Sequence, residues 1–189
     1  MERSEWSEWN QNEFEKVVRQ LSRTDPDAEV IDIDAEGLRA LPDELWRFER
    51  LRELSIHSEY LDETPAGIGR LTRLESLKTL CAPITALPPE IGLLGELREL
   101  DTCVNELTHL PPEIGGLRRL RRLTREGARA KELPPEISQL SDLEVLVLPS
   151  ADLRVIPPEI GRLQALVKLS LAATARPKTP SPSRKRCGG

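Results

Sequence analysis

The alternation of apolar and polar positions repeats with one fixed period along most of this chain. Leu41, Thr64, Leu87, Leu110, Leu133 and Ile156 each stand immediately before a proline, and successive members keep a constant 23-residue spacing. Counted from that residue, apolar side chains recur at offsets 4, 7, 10, 13, 15 and 20, as in "LPPEIGLLGELRELDTCVNEL" from Leu87 to Leu107. The spacing of three to four over Ile91, Leu94 and Leu97 predicts a helical turn, and the tightening to two at Leu100 and Thr102 predicts a short strand. Pro89 has no N–H to lose at the start of such a turn, and Glu90 sets an acid beside the positive end of its dipole. The residue before Pro111, Pro134 or Pro157 is pushed into an extended conformation, which closes the preceding copy.

One copy cannot bury its own leucines, so copies must stack, with the strands side by side in a parallel sheet and the helical turns on the outer face. One 23-residue step toward the N-terminus from Leu54 and Ile56 lands on Ile31 and Ile33, which makes "VIDIDAEGL" the strand half of an earlier, incomplete copy. Seven strands follow. The motif resembles the leucine-rich repeat family, in its 23-residue "LPPEIGxLxxLxxLxLxxNxL" form. It is similar to the repeats of intracellular Ras-group proteins of plants, of Ras-suppressor-like proteins and of many bacterial proteins. "LPPEIG" is intact at Leu87 and Leu110, nearly so at Leu133 ("LPPEIS") and Ile156 ("IPPEIG"), and looser at Leu41 ("LPDELW") and Thr64 ("TPAGIG"). The resemblance implies an α/β fold, a curved leucine-rich repeat solenoid with a parallel β-sheet on the concave face and short helices or 3-10 turns on the convex face. It also implies protein binding on the concave sheet.

Ahead of the repeats, "NQNEFEKVVRQLSRTDPD" places Phe14, Val17, Val18 and Leu21 on one helical face, with Asn10 and Glu13 at capping-box spacing. This helix is expected to cap the first strand, with Trp6 and Trp9 extending it. The organisation expected is therefore a capping helix region over 1–29 and a solenoid over 30–174, one half repeat plus six 23-residue repeats. A disordered basic Pro/Ser-rich tail over 175–189 completes it. No polar capping repeat follows the last copy, so the C-terminal end is a candidate surface for self-association.

Composition agrees with a core built from leucine, because hydrophobic residues are 38% and aromatics 3% of 189. The net charge of −5 conceals an asymmetry. Arg176, Lys178, Arg184, Lys185 and Arg186 face no acid in the tail, so the remainder carries −5 − 5 = −10. That acidic body makes nucleic acid an unfavourable partner, and five tail charges alone bind a polyanion weakly. No apolar run approaches the roughly 20 residues of a membrane span, and the first residues lack a hydrophobic signal region, so a cytoplasmic protein is expected. Three cysteines, Cys81, Cys103 and Cys187, show no framework spacing, and structural disulfides are not expected.

Among the inward positions only Thr64, Thr79, Thr102 and Arg125 are not apolar, and three of these share offset 15 in consecutive copies. A polar ladder at one level of the stack is expected. A fully buried unpaired guanidinium would cost several kcal/mol, so Arg125 is expected not to be simply buried. Either a bulge turns offset 15 outward, or Arg125 buries its stem, bonds Thr102 or backbone carbonyls, and carries its head to the sheet edge. Both make the central strands irregular. The family's turn asparagine survives only as Asn105.

Outward strand positions, offsets 12, 14, 16 and 17, form the expected concave floor. Glu53, Ser55, His57, Lys78, Leu80, Asp101, Cys103, Arg122, Thr124, Glu126 and Val147 are its candidate protein-binding residues, and Ser58 is assigned to it as well. The function expected is a non-catalytic interaction module, an adaptor or regulator with one protein partner. The alternative is a stand-alone remnant of a larger signalling protein. A minor alternative is a weak metal or thiol site at His57, Cys81 and Cys103. No phosphate loop, metal-ligand spacing or nucleophile elbow is present, and no cofactor or small-molecule substrate is expected. His109, just ahead of Leu110-Pro111, is expected to be solvated.

Overall fold

The computed structural model describes residues 3–103, 107–126, 132–148 and 156–171, with side chains from residue 11 onward except those of Cys103 and Glu126. Among the described residues one α-helix, seven strands and six 3-10 turns alternate in a single order. They are α1 (Arg3–Arg23), β1 (Val30–Asp34), η1 (Asp43–Arg47), β2 (Glu53–His57), η2 (Ala66–Arg70), β3 (Ser76–Leu80), η3 (Pro89–Leu93), β4 (Glu99–Cys103), η4 (Pro112–Gly116), β5 (Arg122–Glu126), η5 (Pro135–Gln139), β6 (Val145–Val147), η6 (Pro158–Arg162) and β7 (Lys168–Ser170). The strands form one curved parallel sheet in the order β1 to β7, and every register step equals the sequence period, from Val30↔Glu53 to Val145↔Lys168.

Each 3-10 turn starts as its sequence dictates. The prolines Pro42, Pro65, Pro88, Pro111, Pro134 and Pro157 are extended N-caps, with φ between −73° and −62°. A second proline opens the first turn of η3 to η6, followed by Glu90, Glu113, Glu136 and Glu159. A backbone spine joins the copies at the strand entrances. Arg52 N–H donates to Glu29 O, and the same bond recurs at Glu75→Arg52, Arg98→Glu75, Arg121→Arg98, Glu144→Arg121 and Val167→Glu144, all within 2.7–2.9 Å.

Between sheet and turns lies one continuous layer of leucine and isoleucine running from Val17 and Leu21 of α1 to Leu163, just after η6. Stacking identical side chains copy upon copy is what stabilises the fold, since each buried leucine contributes roughly 1.5–3 kcal/mol.

Two departures from the pattern compensate one another. Trp46 stands at offset 5, where Gly69, Gly92, Gly115 and Gly161 stand in other copies, and Gly67 stands at offset 3, where the others carry glutamate. A Cβ at Gly67 would lie 2.4 Å from Trp46 Cε2, so the missing side chain is the space the indole fills. The indole is buried and donates from Nε1 to Asp43 Oδ1 at 3.2 Å.

The helix α1 closes the first edge as expected, with Val17 and Leu21 buried, although Phe14 is exposed. It also satisfies β1's backbone, since Gln20 Nε2 donates to Asp32 O at 2.8 Å and Lys16 Nζ to Asp34 O at 3.4 Å. Its start differs from the expected one. The helix begins at Arg3, so Asn10 lies inside it rather than capping it. "SEWSEW" contains no glycine or proline to stop propagation toward the N-terminus.

Arg125 is the main correction. No bulge interrupts β3, β4 or β5, which are regular five-residue strands, and Thr79↔Thr102 and Thr102↔Arg125 are direct register partners. The polar ladder exists, and Arg125 is buried whole at 0% exposure, its head reaching no edge. Regular pairing from β1 to β5 holds offset 15 inward, and one bond from Nη2 to the Leu107 carbonyl compensates the guanidinium in part. The irregularity falls downstream instead. Pairing of β5 with β6 stops at Thr124↔Val147, one residue short of Arg125, and β6 and β7 shrink to three residues. Asn105, Trp6 and Trp9 side chains, the segment 127–131 and the tail lie outside the described residues.

Candidate functional site

Parallel pairing sends alternate side chains to opposite faces, so offsets 13 and 15 enter the core and offsets 12, 14 and 16 line the concave floor. The register assembles three rows across the strands. The first is Val30, Glu53, Ser76, Glu99, Arg122, Val145 and Lys168. The second is Asp32, Ser55, Lys78, Asp101, Thr124, Val147 and Ser170. The third begins Asp34, His57 and Leu80. The candidate residues Glu53, Ser55, His57, Lys78, Leu80, Asp101, Arg122, Thr124 and Val147 therefore share one face, exposed or half-buried. Cys103 and Glu126 occupy strand positions on it, and their side chains lie outside the described residues.

Sequence reasoning omitted the first strand of that floor. Asp32 and Asp34 of β1 are exposed and flank His57 and Ser55 of β2. The repeat step that located Ile31 and Ile33 would also have found these neighbours. It also placed Ser58 wrongly. At offset 17 the chain has left the strand and turned inward, and Ser58 is fully buried. Its hydroxyl donates to Leu38 O at 2.6 Å and accepts from Tyr60 N–H at 3.3 Å, tying the turn to the preceding copy. This is the task the repeat family gives to asparagine one position later.

The floor is held by cross-strand ion pairs. Glu99 meets Lys78 Nζ at 3.3 Å on one side and Arg122 Nε at 3.6 Å on the other, and also accepts from Ser76 Oγ at 3.3 Å. Below them, at the strand entrances, Glu29, Arg52, Glu75 and Arg98 alternate in charge, with Arg52–Glu75 at 2.6 Å and Arg98–Glu75 at 3.5 Å. These groups are about a third to more than half exposed, so each pair is worth about 0–1 kcal/mol; they fix side-chain positions more than they stabilise. At the N-terminal end, His57 Nδ1 contacts Asp34 Oδ1 at 3.1 Å, while Asp32 and Glu53 make no ion pair among the described residues. The floor thus runs from acidic on β1 and β2, through mixed charge on β3 to β5, to apolar at Val145 and Val147, with Lys168 closing it on β7.

The arrangement of His57, Cys81 and Cys103 as one row is not found. Leu80, not Cys81, is the register partner of His57, and Cys81 lies past the end of β3 with φ of 58°. Cys81 is disulfide-bonded, contrary to the expectation from cysteine spacing, and so offers no thiolate. Among the described residues no three His, Cys, Asp or Glu side chains come together as metal ligands. His109 is exposed, as expected, with Nδ1 2.8 Å from Thr108 Oγ1. No helix among the described residues is long and apolar enough to cross a membrane.

No protein-family model matches the chain, and no curated protein sequence matches it. Solved structures do. A leucine-rich repeat protein of Leptospira interrogans superimposes with a TM-score of 0.60 at 26% identity, over 82% of this chain and 51% of its own. The plant peptide hormone receptor RGFR1, in complex with RGF2, gives 0.61 at 22% identity, over 76% of this chain and 24% of the receptor. An internalin of Listeria monocytogenes gives 0.58 at 20% identity, over 72% and 38%. The chain spans about half the length of the first of these and less of the others. With the 23-residue register and the sheet backed by 3-10 turns, these likenesses identify the fold: the chain is a leucine-rich repeat solenoid.

Proposed function

We propose that this chain is a non-catalytic protein-interaction module that engages a protein segment on its concave sheet, as an adaptor or regulator in cytoplasmic signalling. The observation that carries the reading is the floor itself. Seven strands present two full rows of side chains, with a third beginning at Asp34, His57 and Leu80, on a base fixed by buried leucine layers, and the rows pass from acidic to mixed to apolar. A preformed surface of that kind loses little entropy on binding, and its mixed charge selects orientation while Val145 and Val147 supply apolar contact. A segment lying across the strands with basic residues at one end and apolar residues at the other matches it. The receptor RGFR1, whose fold this chain resembles, is known as a complex with the peptide RGF2, which supports a peptide-like partner for a sheet of this shape.

The test is recovery of partners on immobilised chain, comparing wild type with the floor substitutions Arg122→Glu and Asp101→Arg and with Leu93→Lys on the convex surface. The reading expects a protein retained by wild type and by Leu93→Lys and lost with both floor variants. A partner retained by all, or lost only with the convex change, overturns it.

A further inference from the structure

The two ends of the solenoid are finished differently. At the first, α1 lays Val17 and Leu21 over the core and binds the carbonyls of β1. At the other, among the described residues, the layers stand open. Leu169 occupies the level at which Leu54, Leu77, Leu100, Leu123 and Leu146 are at most 1% exposed, and it is itself 47% exposed. Ile156 is 48% and Val167 86% exposed, and among the described residues one side of β7 has no strand beside it. Residues 172–189 contain no Leu, Ile, Val, Met, Phe, Tyr or Trp, so they bring no side chain able to complete those layers.

We propose that this end is a self-association surface on which two copies of the chain meet, β7 against β7 in antiparallel pairing. What the end lacks is a strand with a free edge and an open layer of leucine behind it. The same end of a second copy supplies both, and a two-fold contact makes the supply mutual. In an antiparallel pair centred on Leu169, Lys168 faces Ser170 of the other copy, so no like charges are set directly opposite one another. Because α1 occupies the first edge, head-to-tail addition is blocked and assembly stops at two. The five basic residues that follow β7 in each copy repel one another, so added salt strengthens the pair.

The experiment is molar mass by light scattering and sedimentation on the full 189-residue chain, from low to high micromolar concentration at two salt concentrations. It is repeated with Cys187→Ser to exclude an intermolecular disulfide. The expected mass rises from 21.3 kDa to about twice that value and no further. Val167→Glu and Leu169→Glu hold it at 21.3 kDa with an unchanged circular dichroism spectrum. Val167 is almost fully exposed, so its substitution reports on association even where Leu169→Glu disturbs folding. A wild type that stays monomeric, a mass that grows past the dimer, or a dimer indifferent to Val167→Glu overturns the proposal. So does one that dissociates as salt is raised.

Discussion

Thr102 of β4 and Arg125 of β5 are register partners that both face the core, and Arg125 is buried whole between leucine layers. The guanidinium gives one hydrogen bond, from Nη2 to the Leu107 carbonyl, while its Nε and Nη1 have no partner among the described residues. The same row continues apolar on both sides, at Ile56 and Leu148. A charge thus occupies a slot shaped for leucine.

Arg125→Leu should therefore stabilise the protein. Replacing a buried, under-bonded charge by an apolar side chain typically gains about 1–4 kcal/mol. Urea unfolding should show a higher midpoint at unchanged slope. If the midpoint falls, the guanidinium has compensating interactions beyond the Leu107 bond.

That gain should depend on pH in one direction. Desolvation by burial lowers the Arg125 pKa from the ordinary guanidinium value to about 10. Between those two values the unfolded chain holds a proton that the folded chain has released, so wild-type stability rises with pH relative to Arg125→Leu. Below about pH 10 the full penalty of burial is present. The difference in unfolding free energy between the two proteins should be constant from pH 7 to 9 and shrink above 10; a difference that widens there would contradict the assignment.

Gly67 and Trp46 should be coupled. Gly67→Ala drives a Cβ to 2.4 Å from the indole and should destabilise, by about 1–3 kcal/mol for an overpacked site. With Trp46→Gly already in place the same change should cost almost nothing, a coupling that a double-mutant cycle in urea measures directly. Additive effects would mean that the cost of Gly67→Ala does not arise from the indole.

How far the sequence revealed this molecule depends on which spacing carries the information. Leu54, Leu77, Leu100, Leu123 and Leu146 recur at one constant interval, and that single period yields strand positions, register and inward face together. It failed wherever a single residue acts alone. Ser58 looks like another floor position until the chain's turn after β2 is seen to carry it inward to Leu38. Arg125 looked too expensive to bury, because a sequence shows the cost of one slot but not the pairing with Thr102 of β4 that holds the slot inward. Asp32 and Asp34 were legible in principle, since they follow from the same step that found Ile31 and Ile33.

Cys81 gives a direct chemical check. A disulfide consumes two of the three cysteines, so thiol titration of the unfolded, unreduced chain should find one free thiol, and three after reduction. Cys81→Ala should raise the first number to two, by freeing its partner. Three thiols without reductant would return the cysteines to the reduced state expected from their spacing.

The unequal ends of the solenoid make a last comparison, between Leu21 and Leu169. Both contact the terminal leucine layers, but Leu21 is fully covered at the α1 end and Leu169 is about half covered at the β7 end. Leu21→Ala leaves a cavity between α1 and the first strands and should cost about 2–5 kcal/mol, as buried leucine truncations do. Leu169→Ala removes contacts on one side only and opens no enclosed void, so at dilute, monomeric concentration it should cost about 1 kcal/mol or less. Thermal unfolding of the two variants ranks them. Equal losses would require the β7 end to be as well covered as the α1 end, which its exposed Val167 and Ile156 argue against.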